Sequence, residues 1–88
     1  MSVALQAQNL TVSGTVKSAR SNKPLQSANV VIENTDLGTF TDENGRFIVK
    51  DIRSSEVSIK ISMIGFVDTT LNVSTREKTY DLGEIKLR

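Results

Sequence analysis

The sequence predicts an all-β fold, a seven-stranded antiparallel sandwich of two sheets. Three observations carry that expectation. Apolar and polar residues alternate in several segments, with no helical period between them. Turn residues recur at intervals of roughly eight to twelve residues. The stretch Gly38-Thr39-Phe40-Thr41-Asp42-Glu43-Asn44-Gly45-Arg46-Phe47 reads as two short strands folded over one tight turn. Asp42 is placed to accept a hydrogen bond from the backbone two residues on, and Asn44 and Gly45 tolerate positive φ. A type I turn from Asp42 to Gly45, with Gly45 left-handed in a bulge, fits best.

The strands follow in order. Leu10, Val12, Gly14 and Val16 face one way, and Thr11, Ser13, Thr15 and Lys17 the other. A loop from Ser18 to Ser27 follows, in which Pro24-Leu25 is expected to dip Leu25 towards the core. Ala28, Val30 and Ile32 make the second strand, and Asn34-Thr35-Asp36 a turn. Gly38 to Thr41 is the third strand and Arg46 to Ile52 the fourth. Val57, Ile59, Ile61 and Met63 alternate with Ser58, Lys60 and Ser62 in the fifth. Gly65 turns the chain, as the positive-φ residue of a type II turn, into a sixth strand between Phe66 and Ser74. The seventh runs from Thr79 to Leu87. Tyr80 and Leu82 share one phase there and Ile85 and Leu87 the other, so Gly83 is expected to sit in a bulge that resets the register. The expected core is Val12, Val16, Val30, Ile32, Phe47, Val49, Ile59, Ile61, Leu71 and Leu82, with Tyr80 also turned inward. Val31, Ile48 and Ile64 are apolar on the otherwise polar phase.

Composition narrows the function. The 88 residues make one domain, and they include neither cysteine nor histidine. Thiol chemistry is absent, together with the usual general base and the commonest metal ligand. Eleven Lys and Arg against ten Asp and Glu leave a net charge of +1 with the signs interspersed, so there is no basic stripe for nucleic acid. No apolar run approaches the roughly 18 residues of a membrane span, so direct membrane insertion is not expected. Residues 1–9, with Val3-Ala4-Leu5-Gln6-Ala7-Gln8, read either as the tail of a signal peptide or as a disordered leader, and the domain as 10–88. If the first reading holds, the domain is exported.

Candidate chemical sites are weak. Counting back from Gly45 as in a calcium loop puts Phe40 where the first acidic ligand belongs, so a plain turn is the better reading and no metal is expected. Asp36, Asp42, Glu43 and Asp51 are loop acids with no orienting partner, and Ser13 and Ser62 have no base to activate them. Neither catalytic residues nor a cofactor site are expected. Alternation also places Lys17 on the polar face, which rules out a core isopeptide crosslink.

With the strands in place, the chain resembles a carboxypeptidase regulatory-like domain, from Leu10 to Leu87. Val12-Ser13-Gly14-Thr15-Val16 is similar to that family's opening Gly-x-Val, and Lys23-Pro24-Leu25-Gln26-Ser27-Ala28-Asn29-Val30 to its Pro-Leu-x-x-Ala-x-Val segment. Gly38, Thr41, Asp42, Gly45 and Phe47 match its Gly-x-x-Thr-Asp-x-x-Gly-x-Phe motif, and Ser62-Met63-Ile64-Gly65-Phe66 its Ser-x-x-Gly-aromatic turn. The resemblance implies a transthyretin-like (prealbumin-like) sandwich and a non-enzymatic accessory role. Similar copies precede the plug and barrel of TonB-dependent outer-membrane receptors, on the periplasmic side, and others follow the catalytic domain of metallocarboxypeptidases. The expected partner is therefore a protein, or the plug and barrel of the same receptor chain, reached by contact or spacing. Ile64 and Phe66 are the candidate contact residues. The alternatives are a stabilising module of a secreted metallocarboxypeptidase and a carbohydrate-binding sandwich. The latter usually exposes tryptophan or tyrosine, whereas this chain has no tryptophan and one tyrosine.

Overall fold

The computed structural model describes residues 9–88. The signal-remnant reading of the leader falls almost wholly outside them. Seven strands form in chain order: β1 Leu10–Ser18, β2 Asn29–Ile32, β3 Gly38–Phe40, β4 Arg46–Ile52, β5 Glu56–Ser62, β6 Thr69–Ser74 and β7 Thr79–Leu87. They make a three-stranded sheet in the order β4-β1-β7 and a four-stranded sheet in the order β3-β2-β5-β6. The all-β two-sheet sandwich is thus the fold.

Alternation buries one phase of each strand between the sheets. Val12, Val16, Val30, Ile32, Phe47, Val49, Ile59 and Ile61 are all buried, as the sequence predicts. Each such side chain contributes about 1.5–3 kcal/mol when removed from water. Leu71 and Leu82 are only partly buried and pack against this core. Leu71 lies on β6 and Leu82 on β7, both edge strands, so neighbours cover them from one side only.

The structure differs from the expectation in four places. First, β1 and β7 run parallel, whereas every other strand pair is antiparallel. The first and last strands therefore lie side by side in one sheet, with Val12 opposite Tyr80 and Val16 opposite Ile85. Second, the tight turn at Asp42 does not close a hairpin. β3 and β4 belong to different sheets, so the turn carries the chain from one layer to the other. Third, Ile52 is buried although it shares the parity of the exposed Ile48. Asp51 has φ +62°, and the β1–β4 register slips between Leu10↔Ile52 and Val12↔Val49. That extra residue turns Ile52 inward. Fourth, Tyr80 lies on the face of Val12, opposite it on β1, but at the edge of the sheet it stays 40% exposed instead of joining the core.

The bulge expected in β7 is present. Gly83 has φ +72°, and the register jumps from Ser13↔Asp81 to Thr15↔Glu84. Beyond it Ile85 and Leu87 reach the core. The Asp81 carboxylate accepts the Gly83 N–H at 2.9 Å, which holds the bulge.

Candidate functional site

The residues singled out in the sequence fall into two groups, a clasp between the sheets and an apolar end. The clasp starts at Thr41, which is polar yet only 4% exposed. Its hydroxyl donates to the Leu25 carbonyl at 2.6 Å and accepts the Ala28 N–H at 2.8 Å. Its backbone N–H donates to the Ala28 carbonyl at 3.0 Å, and its carbonyl accepts the Ser27 N–H at 2.9 Å. Four hydrogen bonds therefore pin the Leu25–Ala28 segment against the start of the turn. Burying that hydroxyl is tolerated because both its donor and its acceptor capacity are used.

Asp42 shapes the turn itself. Its carboxylate accepts the Asn44 and Arg46 N–H groups, each at 2.9 Å. Gly45 N–H donates to the Asp42 carbonyl at 2.9 Å, and Asp42 N–H to the Arg46 carbonyl at 2.9 Å. Gly45 has φ +76°, so the left-handed residue falls where the turn chemistry requires it. It also lies against β1. The Gly45 carbonyl accepts the Val16 N–H at 2.7 Å, and the Val16 carbonyl accepts the Leu25 N–H at 2.9 Å. A Cβ on Gly45 would collide with that Val16 carbonyl oxygen and sit 3.1 Å from Pro24 Cβ.

Two further motif positions have packing reasons. The buried Phe47 ring lies over Gly14, where a Cβ would come within 2.9 Å of Cε2 and Cζ. Gly38 sits on the edge strand β3, where a Cβ would come within 2.8 Å of the Val30 carbonyl oxygen. Ala28, Thr41, Asp42 and Gly45 are therefore joined, through Leu25 and Val16, into one seam between the layers, while Gly14 and Phe47 pack against each other across neighbouring strands of one sheet.

The second group is at the β5–β6 turn. Phe66 N–H donates to the Met63 carbonyl at 3.0 Å, and Gly65 has φ +91°. Ile64 is 99% exposed at the tip, and Phe66 is half-buried behind it. Ile64, Met63 and Phe40 border one shallow hollow of about 660 Å³ over Asn29 and Ser62. Phe40 is 66% exposed and escaped the sequence reading. Its signal is parity: once Thr41 is the buried residue, its neighbour on β3 must face outward. Val67 is also exposed, and its N–H donates to the Arg88 carbonyl, so this end of the sandwich is where the chain leaves β7.

The chemistry of the remaining surface is spare. A larger hollow, about 850 Å³, lies at the opposite end, with Ile32, Leu37, Ile52, Val57 and Val73 among its lining. Two of the serines there, Ser54 and Ser58, are engaged. Ser54 Oγ donates to the Glu56 carbonyl at 2.8 Å and accepts the Glu56 N–H at 3.1 Å, while Ser58 Oγ bonds Asn72 Oδ1 at 2.7 Å. Among the described residues no three acids cluster as metal ligands would. Glu84 has a lowered pKa, from the 2.6 Å hydrogen bond donated by Lys17 and from the lysine charge, with a smaller effect of Lys86. Lys17 thus lies on the outer face, bonded to a surface carboxylate.

Fold and seam together define a small two-sheet sandwich whose signature residues hold the layers to one another. The chain belongs to the CarboxypepD_reg-like domain family, whose model matches residues 12–86. It is 33% identical over 91 residues to the TonB-dependent receptor SusC of Bacteroides thetaiotaomicron, a match that covers 97% of this chain and 9% of the receptor. The chain therefore spans about a tenth of that relative. Among solved structures, a type II cohesin–X-dockerin complex from Acetivibrio cellulolyticus superposes with a TM-score of 0.70 at 22% identity, over 85% of this chain and 52% of that one. A 9R-lipoxygenase from Cyanothece superposes with a TM-score of 0.64 at 16% identity, over 98% of this chain and 18% of the enzyme. At such identities these two report the fold alone.

Proposed function

We propose that the domain is a non-enzymatic N-terminal extension of a TonB-dependent outer-membrane receptor, held on the periplasmic side, where it acts by protein contact or spacing. The observation that carries this is the SusC match along 97% of the chain. The seam supports an accessory role, because the polar groups of Thr41 and Asp42 are used up in shaping the turn between the sheets, which Gly45 and Leu25 fasten to β1. The Ser54 and Ser58 hydroxyls of the 850 Å³ hollow are likewise bonded, and the chain has no histidine to activate a serine there.

The contact surface in this reading is the Ile64 end, with Phe66 behind the tip and Phe40 beside it. Exposed apolar residues gathered at one end mark a docking surface better than scattered ones do. The Val67–Arg88 hydrogen bond sets that surface beside the point where the chain leaves β7, so a plug that follows in the same chain would emerge next to it.

The test uses the full-length receptor in cells. Protease added outside should spare this domain, and opening the outer membrane should expose it to cleavage. A photo-crosslinker at Ile64 should then capture the plug or barrel of the same chain. Cleavage on intact cells, or a parent gene that encodes no barrel, would refute the receptor reading. The isolated domain should hydrolyse neither peptides nor glycosides, and calorimetry with zinc or calcium should give no micromolar isotherm.

A further inference from the structure

A sandwich of two open sheets has four edges, and natural sheets protect such edges with short strands, bulges and charge. Three edges here carry those devices. β3 is three residues long. β4 carries Arg46, Lys50 and Asp51, with the bulge at Asp51. β7 carries Asp81, Glu84 and Lys86, with the bulge at Gly83. The fourth edge, β6, has none of them. Its six residues, Thr69-Thr70-Leu71-Asn72-Val73-Ser74, include no charge, proline or glycine, and its register with β5 is unbroken from Ile61↔Thr69 to Glu56↔Ser74.

The direction of its backbone groups follows from one bond. Thr75 N–H donates to the Ser55 carbonyl at 2.9 Å, so Thr75 points its backbone groups at β5. Antiparallel alternation then turns Val73 and Leu71 towards β5, and Ser74, Asn72 and Thr70 towards the open edge. A second strand laid along this edge meets three N–H groups and three carbonyls in an unbroken row.

We propose that the β6 edge is a self-association surface that pairs antiparallel with β6 of a second copy about a two-fold axis through Asn72. In this register Asn72 faces Asn72 and Thr70 faces Ser74 of the second copy. All the outward backbone groups are used, giving about six hydrogen bonds across the edge. Charge selects the same arrangement. Asp68 precedes β6 by one residue and Arg76 follows it by two, so this register brings Asp68 near Arg76 of the second copy at both ends of the pair, whereas an in-register parallel pairing brings Asp68 near Asp68. Arg76 has no acidic partner within 4.0 Å among the described residues, and Asp68 holds only an exposed contact of 3.5 Å to Lys60. On the inner face Leu71 meets Val73 of the second copy, which extends the half-covered edge of the core. The interface is isologous, so it closes as a dimer and does not propagate.

The test is sedimentation equilibrium of this chain up to about 1 mM, since a single strand pair buries little surface and gives weak association. The expected result is a monomer–dimer equilibrium. Asn72→Pro removes the two central N–H donors at a position where proline leaves the β5 pairing intact, and should weaken dimerisation on the order of tenfold or more. Arg76→Asp should weaken it as well, and Asp68→Arg combined with Arg76→Asp should restore it. Because the chain lacks cysteine, Asn72→Cys provides a single thiol at the axis, and oxidation should join two copies, while Lys86→Cys on the β7 edge should not. A monomer throughout the concentration range overturns the proposal. So does a dimer unmoved by Asn72→Pro and by the charge reversals, or one that crosslinks through Lys86→Cys instead. Capture of an extended segment from another protein at this edge, with no self-association, overturns it too.

Discussion

Gly45→Ala is the substitution that tests the seam most directly. Two separate costs meet at this residue. A side chain at φ +76° is strained by about 1–2 kcal/mol. The added Cβ also collides with the Val16 carbonyl oxygen, a backbone atom of a central strand that cannot rotate away. Relief requires β1 and the turn to separate, which strains the Val16–Gly45 hydrogen bond of 2.7 Å and the Leu25–Val16 bond of 2.9 Å. Each such bond is worth about 1 kcal/mol. The sum is roughly 3–4 kcal/mol. A domain of this size has a total stability of about 5–10 kcal/mol, so the loss is a large fraction of it. Gly65→Ala is the control. Gly65 has φ +91° but nothing lies within 4 Å of its Cβ position, so only the conformational cost of about 1–2 kcal/mol applies. Urea unfolding followed by circular dichroism should therefore show a drop in midpoint about twice as large for Gly45→Ala. Equal shifts for the two variants would refute the close-approach argument and leave Gly45 as an ordinary turn glycine.

The other expectations follow from the same geometry. Thr41→Val keeps the volume but leaves the Ala28 N–H without its partner and the Leu25 carbonyl without its donor, and should cost about 2–4 kcal/mol by thermal or urea unfolding. Asp42→Ala removes an acceptor shared by two N–H groups and should cost about 1–2 kcal/mol in the same assay. Ile64→Ser should move the melting temperature little, with a stability change within about 0.5 kcal/mol, since the side chain is 99% exposed; a large loss would make it a core residue and remove it as a contact. For pH, the folded pKa of Glu84 is lowered by Lys17, so the stabilisation from this pair is present above the ordinary glutamate value of 4.5 and is lost as pH falls through the folded value. Any difference in melting temperature between the chain and Glu84→Gln should thus be seen at neutral pH and vanish in acid.

The seven strands, the turn at Asp42, the positive φ at Gly65 and the bulge at Gly83 were legible in the sequence because each is a local matter. Side-chain alternation has a period of two, and a glycine among strand residues marks a break in it. The seam was visible only as a motif. That Thr41 reaches Leu25 and Ala28, and that Gly45 touches Val16, depends on segments far apart in the chain meeting in space. Phe40 was missed for the same reason: its outward direction follows from the burial of Thr41, which its distant partners decide.

Alternation by itself determined which side chains share a face in each strand, and so most of the core. It carries no information about which strand lies beside which. Only the tertiary structure decided that β1 and β7 pair in parallel and that the Asp42 turn passes between sheets rather than closing a hairpin. The same is true of the bulge at Asp51, where no glycine announces the positive φ and the gain from burying Ile52 against its neighbours holds an aspartate in the left-handed region. Tyr80 is left 40% exposed because β7 is an edge, and an edge exists only once the order of the strands is set.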